Sequence, residues 1–267
     1  MNWQRDIELL TPLFNRGAYQ DTAELRPTSI RGMARWWFRA LGGSADEEKQ
    51  AFGGMNRFGE QLQGCTIASH LVFRVSHVQI ERAEPKPLTL PHKSGGQASP
   101  QAAFAPGGRF RLSVVGRLQP LAPDLRTKVA NALDTWLLLG ALGLRANRSG
   151  GNLWPMGEGV PSSPAGLGER LRTLGCRWPV MLAGREVGVT LSDLRAAATD
   201  TVNGAAGVFG YAKGRDRLAS ALKFKIVRLE GQLRLLMTAP EQGVLDEARR
   251  ALAGHRCKPE TWKPLDG

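Results

Sequence analysis

The stretch IASHLVFRV, residues 67–75, returns as LASALKFKI, residues 218–226, and this repeat decides the expected fold. Four of the nine aligned positions are identical, and each copy is preceded by a Phe-Gly pair, Phe52-Gly53 and Phe209-Gly210. In both copies apolar residues recur with the period of two that is typical of a β-strand. Because internal repeats determine architecture, the sequence predicts two copies of one strand-containing unit.

The segments around the two copies predict an α+β fold with an N-terminal unit at 1–155 and a smaller C-terminal unit at 156–267. A loop at 81–108, rich in proline and glycine, is expected to be long and exposed. The turn Glu230-Gly231 is expected to join a hairpin. The strands are expected at 3–10, 66–78, 109–118, 218–229 and 232–237, and the helices at 27–41, 125–142, 166–174, 192–198 and 241–253.

The chain of 267 residues has a net charge of +12 and a sequence pI near 10.3. Residues 1–150 carry 19 basic and 12 acidic side chains, and residues 151–267 carry 17 and 12. A basic excess in both halves favours a long polyanion over a small acidic substrate. The three cysteines fit neither a disulfide framework nor a metal site, and no signal peptide or membrane-spanning run is evident, so a cytoplasmic protein is expected.

The segment RPTSIRGMARWWFRAL, residues 26–41, predicts a helix that carries Arg31, Arg35 and Arg39 along one side. Pro27, Thr28 and Ser29 mark the helix start, where a hydroxyl is expected to cap the first N–H groups, and Ser29 is also a candidate nucleic-acid contact. The first turn contains no acid, although the helix dipole favours one there, so a bound anion such as a phosphate is one interpretation. The alternative is the solvated basic face of an ordinary amphipathic helix.

The loop GALGLRANRSGGNLWP, residues 140–155, places glycines around two arginines, an arrangement that suits an anion. It is neither a Walker motif nor a dinucleotide fingerprint. The alternative is a helix C-cap followed by a turn, which accounts for one glycine but not for the arginines. We therefore favour nucleic-acid contact in this loop, by Gly143, Arg145, Asn147, Arg148 and Gly150.

A second basic cluster includes Lys213, Arg215, Lys223 and Lys225. The default interpretation is a solvated face, and RNA contact is the sharper alternative. The four histidines have no metal-ligand spacing, so neither a metal nor a cofactor is expected.

Five motifs occur along the chain: LTPLF (10–14), the 26–41 segment, Phe52-Gly53, the 140–155 loop and the late repeat copy. Together they resemble the RAMP superfamily of CRISPR-associated proteins, and are most similar to the first-numbered subunits of Cmr (type III-B) effector complexes. The resemblance implies two ferredoxin-like (RRM-type) units packed together. It also implies a basic RNA cleft lined by the first helix and the glycine-rich loop, with Arg31, Arg35, Arg39, Arg145 and Arg148. It implies a non-catalytic subunit that contacts CRISPR RNA toward its 3′ end, target RNA, or both, beside other RAMP subunits in antiviral defence.

Two enzymatic alternatives remain open within this resemblance. One is a RAMP endoribonuclease that processes CRISPR RNA through a histidine general base, although here no histidine is adjacent in sequence to the glycine-rich loop. The other is cleavage of target RNA through an aspartate between the first strand and the first helix, where Asp21 is a weak candidate because a loop aspartate is usually a turn former.

Overall fold

The computed structural model describes residues 1–55, 66–93, 99–117, 119–184, 190–200, 205–213, 216–253 and 261–265, and two four-stranded antiparallel sheets form its framework. The elements that belong to the first half of the chain are β1 (Asn2–Leu9), α1 (Pro27–Ala40), α2 (Ala45–Phe52), β2 (Gly54–Met55), β3 (Thr66–Ile67), β4 (Leu71–Gln79), β5 (Arg109–Gly116), α3 (Pro123–Leu139) and β6 (Leu153–Met156).

The first sheet has the strand order β4-β5-β1-β6, with every neighbouring pair antiparallel. The helices α1 and α3 connect β1 to β4 and β5 to β6, which is the βαββαβ arrangement of a ferredoxin-like unit. The buried side of α1 consists of Ile30, Ala34, Trp37 and Phe38, at the spacing that places side chains on one helix face. This face packs against α3 and the sheet.

The second half of the chain repeats this arrangement on a second sheet. Its strand order is β10-β11-β7-β12, again antiparallel throughout, and its crossing helices are α5 and α7. The elements are α4 (Pro164–Thr173), β7 (Val180–Ala183), α5 (Leu191–Thr199), α6 (Ala206–Phe209), β8 (Tyr211–Lys213), β9 (Asp216–Leu218), β10 (Lys223–Leu229), β11 (Gln232–Thr238), α7 (Gln242–Ala251) and β12 (Trp262–Pro264).

The sequence repeat corresponds to a turn that has the same structure in both units. Gly53 and Gly210 both have positive φ, +74° and +70°, and a Cβ on either would meet the backbone of the following repeat strand. Ser69 donates a hydrogen bond to the carbonyl of Ala51, and Ser220 donates one to that of Val208. The prediction of two related units is therefore confirmed in detail.

The second sheet is buried on both faces along β10. Phe224 and Ile226 point into the core formed with α5 and α7, whereas Val227 and Leu229 belong to the hydrophobic cluster of the first unit. An ion pair of 2.8 Å between Arg228 and Glu8 also joins the two sheets. The two units therefore share a packed interface.

The α+β fold of two ferredoxin-like units is confirmed, and most predicted elements lie within a few residues of their expected bounds. The expected strand at 66–78 is divided into β3 and β4, and that at 218–229 begins only at Lys223. The expected cap by a hydroxyl of Thr28 or Ser29 is wrong: Pro27 occupies the first helical position, Arg26 is the N-cap residue, and no side chain caps the helix. The unit bounds 1–155 and 156–267 stay a prediction.

Candidate nucleic-acid interface

The glycine-rich loop after α3 folds against the N-terminal segment of its own unit. Gly143 has a φ of +85°, and a Cβ there would lie 2.5 Å from the carbonyl oxygen of Phe14, so only glycine fits. Gly150 is buried, and a Cβ there would lie 2.7 Å from the carbonyl oxygen of Leu144. These two glycines let the loop pack closely on itself and on residue 14, and Arg145 at its tip is exposed.

The same loop is also bound to the second unit, through Asn147. Its carbonyl accepts a hydrogen bond of 3.1 Å from the N–H of Phe224, and its side-chain oxygen accepts one of 2.8 Å from the Lys223 ammonium. Its side-chain NH₂ donates to the carbonyl of Ser220. Asn147 therefore fixes the loop on the second unit, and this contact occupies its side chain.

Arg148 is buried beside Asn147, with 9% of its surface exposed. Its guanidinium lies 5.4 Å from the ring centroid of Phe209 and 5.6 Å from that of Phe224, and it donates a hydrogen bond of 2.6 Å to the carbonyl of Phe209. Burial, together with the nearby charge of Arg145, lowers the pKa of Arg148 to about 10.

Lys223 is buried between the two units, with its ammonium 4.2 Å from the ring centroid of Trp36 on α1. Burial and the nearby charge of Arg148 lower the pKa of Lys223 to about 8. The expectation of a solvated face at Lys223 is therefore wrong.

Lys225 is fully buried, so its expected role as an RNA contact is wrong. Its ammonium donates hydrogen bonds to the carbonyls of Leu137, Gly140 and Leu153, at the C-terminal end of α3 and on β6. Three carbonyls match the three N–H donors of an ammonium, and a cation is favourable at a helix C-terminus. Burial lowers the pKa of Lys225 well below its ordinary value.

A fourth buried cation, Arg195 on α5, donates to the carbonyl of Leu88 in the 81–108 loop and lies over the ring of Phe14. Burial lowers its pKa to about 10. Within the described part of the chain, none of the four buried cations has a carboxylate within ion-pair distance, and burial is the main reason why each pKa is lowered. No described carboxylate therefore compensates the charge of Arg148, Arg195 or Lys223, whereas Lys225 is stabilised by its three carbonyl acceptors.

An open cleft of about 650 Å³ is lined by the buried Arg148 and the exposed Arg145. Among its described lining residues, the basic side chains are Lys93, Arg145, Arg148 and His92, and no carboxylate is present. Three large apolar or aromatic side chains on its wall are unusually exposed: Leu144, Tyr211 and Leu218. The cleft therefore combines positive charge with apolar surface.

The arginines of α1 lie apart from this cleft and already have partners. Arg31 donates to the carbonyl of Phe52, while its buried Nε has no partner among the described groups. Arg35 and Arg39 both bind one oxygen of the buried Glu48 carboxylate, at 2.6 Å and 2.8 Å. Two guanidinium groups on one carboxylate leave a net positive charge, and Arg39 remains half exposed.

The remaining candidates are less informative. Asp21 is exposed in the loop between β1 and α1, where it accepts a long hydrogen bond from Thr22. The side chain of Lys213 and all of Arg215 lie outside the described residues. His92 lies in the cleft beside the glycine-rich loop, a proximity in space that its distance along the chain does not reveal.

Sequence reasoning missed Lys93, Arg195 and the exposed pair Tyr211 and Leu218. The repeat carried a signal for Tyr211, because the residue after each Phe-Gly pair is Gly54 in one copy and tyrosine in the other. Nothing local marked Lys93 or Arg195, whose positions depend on how the loop and the two units pack.

Two other kinds of site are absent from the residues that the structure describes. No group of three or more His, Cys, Asp or Glu side chains there could hold a metal ion. No helix in the same ranges is long and apolar enough to cross a membrane.

Comparison with known proteins gives one family and several structural relatives. A model of the RAMP superfamily matches residues 6–154. The Cmr subunit Cmr1-2 of the CRISPR system of Pyrococcus furiosus is 53% identical over 38 residues, which cover 14% of this chain and 20% of that relative, so the match spans about a fifth of the relative's length.

Two solved structures resemble most of the chain. The apo structure of Cmr1 from Pyrococcus furiosus matches with a TM-score of 0.57 and 17% identity, covering 90% of this chain and 87% of that one. A chain of a type III-B Cmr-beta complex bound to cognate target RNA matches with a TM-score of 0.52 and 11% identity, covering 88% and 93%. At these identities the likeness establishes the fold.

Proposed function

The chain belongs to the RAMP superfamily, and from that premise we propose that it is a non-catalytic RNA-binding subunit of a type III-B (Cmr) RNA-guided effector complex. In this role it contacts CRISPR RNA toward its 3′ end, target RNA, or both, beside other RAMP subunits in the cytoplasm. The similarity to Cmr1 and to a chain of an RNA-bound Cmr complex supports this assignment.

The observation that carries the proposal is the uncompensated positive charge at the cleft. Arg148 lines the cleft, and Arg148, Arg195 and Lys223 are all buried without a carboxylate partner among the described residues. Burying a charge without a counter-charge is costly, and such costs are tolerated where function requires them. A phosphate backbone in the cleft would supply the missing negative charge.

Arg145 is the residue best placed for direct phosphate contact, because it is exposed at the mouth of the cleft and its side chain has no ion-pair partner among the described residues. Arg148, Asn147 and Lys223 hold the loop that carries it. Arg35 and Arg39 form a second, weaker candidate contact, oriented by Glu48.

The test is binding of fluorescein-labelled single-stranded RNA by anisotropy across a series of salt concentrations. For wild-type protein we expect log K to fall linearly with log salt. Arg145→Ala should weaken binding and reduce the slope by about 0.7, the value for one lost contact to a single strand. Arg126→Ala, which removes the same charge from the opposite end of α3, should retain both values. Equal behaviour of the two variants would contradict an RNA site at the cleft.

One observation favours an endoribonuclease as the second candidate function, namely the location of His92 in the cleft beside the glycine-rich loop. Its Nδ1 lies 2.8 Å from the hydroxyl of Thr199. Incubation of labelled CRISPR-repeat RNA and target RNA with the protein tests this candidate. Cleavage that is lost in His92→Ala supports repeat processing, cleavage lost in Asp21→Ala supports target cleavage, and binding without cleavage supports the proposed non-catalytic role.

A further inference from the structure

Tyr211 and Leu218 form an exposed apolar ledge on the cleft wall. They are directly opposite each other in the antiparallel pair β8–β9, so their side chains lie on the same face. Each is 46% exposed, and both line the cleft together with Leu144, which is 41% exposed. Large apolar side chains that are clustered and exposed indicate a binding surface rather than a structural need.

The first unit provides an internal comparison for this ledge. There β2 and β3 pair in the same register after the equivalent Phe-Gly turn, and the residue opposite Ile67 is Gly54. The turn and strand pair therefore form without an aromatic residue at this position. Of the two equivalent positions, only the one in the second unit has an aromatic side chain, and that side chain, Tyr211, lines the cleft.

The charged residues near the ledge indicate which class of ligand fits it. Lys93 and Arg145 are exposed around the same cleft, which has no carboxylate among its described lining residues. A ligand with a flat apolar part and negative charges complements this surface, and an unpaired nucleotide has both. A volume near 650 Å³ lies within the range of small-ligand sites, about 300–1,000 Å³, which suits one or two nucleotides and excludes a duplex.

We propose that the cleft holds unpaired bases of single-stranded RNA, with one base stacked on Tyr211 against Leu218 and its flanking phosphates on Arg145 and Lys93. This inference rests on the proposed RNA-binding function and adds the base contact to it. Aromatic stacking accepts every base because every base has a flat face, so the contact is expected to be independent of sequence.

The test is a double-mutant cycle between Tyr211 and the bases of the RNA. The probe is an oligoadenylate about ten nucleotides long, within the range of single-strand site sizes, compared with a chain of equal length that lacks bases. Tyr211→Ala should weaken oligoadenylate binding by roughly fivefold to a hundredfold and leave its salt slope unchanged. It should leave binding of the abasic chain unchanged, and Tyr211→Phe should bind oligoadenylate like wild type.

The chain offers a matched control in its other tyrosine, Tyr19, which is 72% exposed outside the cleft, so Tyr19→Ala should bind like wild type. If Tyr211→Ala binds oligoadenylate like wild type while Arg145→Ala binds weakly, the base contact is wrong and the RNA-binding function stands. If Tyr211→Ala weakens the abasic chain equally, the tyrosine acts on structure and the inference is also wrong. If wild-type protein binds neither probe in a salt-dependent manner, both proposals fail.

Discussion

Replacement of Lys223 by methionine should remove a large pH dependence from the stability of the protein. The ammonium of Lys223 lies over Trp36, donates to Asn147 and is repelled by the buried charge of Arg148. Its pKa in the folded protein is about 8, below the ordinary value of 10.5. Methionine keeps a similar length and apolar character and cannot be protonated.

The sign and magnitude follow from the two pKa values. Below pH 8 the lysine is charged in the folded and unfolded states, so the folded state bears the full cost of burying the charge. Between pH 8 and 10.5 the folded state loses its proton first, and the free energy of unfolding rises with pH. The total change attributable to Lys223 is about 3 kcal/mol, because a difference of one between the folded and unfolded pKa values corresponds to about 1.36 kcal/mol.

Urea unfolding followed by tryptophan fluorescence, repeated from pH 7 to pH 10.5, measures this change. Other groups also titrate in this range, Arg148 and Arg195 among them, so the relevant quantity is the difference between wild type and Lys223→Met at each pH. We expect that difference to change by about 3 kcal/mol in favour of wild type as pH rises. Lys86→Met, which replaces an exposed lysine in the same way, is the matched control. Parallel curves for wild type and Lys223→Met would refute the buried-charge interpretation.

Two further substitutions test the packing between and within the units. Lys225→Ala should lower the free energy of unfolding by about 3–5 kcal/mol, because it leaves a cavity and three buried carbonyls without their donor. Chemical denaturation measures this free energy, and a loss below about 1 kcal/mol would contradict the role of Lys225 at the end of α3. Gly210→Ala should cost more than Gly175→Ala in the same assay, since both glycines have a positive φ but only at Gly210 would a Cβ meet backbone atoms. Equal losses would show that the turn can shift.

The sequence predicted what depends on local pattern. The amphipathic helix at 27–41, the hairpin across Glu230-Gly231 and the repeat of 67–75 and 218–226 each have a periodicity or turn residue within the segment itself. Burial of Lys223 and Lys225 was not predictable. The alternation of lysines with apolar residues shows that they share one face of the strand, but it does not show that another part of the protein packs against that face. The cleft is made of residues near 92, 145 and 211, and only the packing of the two units brings these together.

The two Phe-Gly turns differ in which part of the chain binds them. Arg31 of α1 donates to the carbonyl of Phe52 within the first unit, whereas Arg148 reaches from the first unit to the carbonyl of Phe209 in the second. The second turn, with Tyr211 directly after it, is thus held in place by the loop that carries Arg145. We infer that the site forms only when both units are packed together, so that RNA binding depends on the cleft between them more than on the arginine helix of the first.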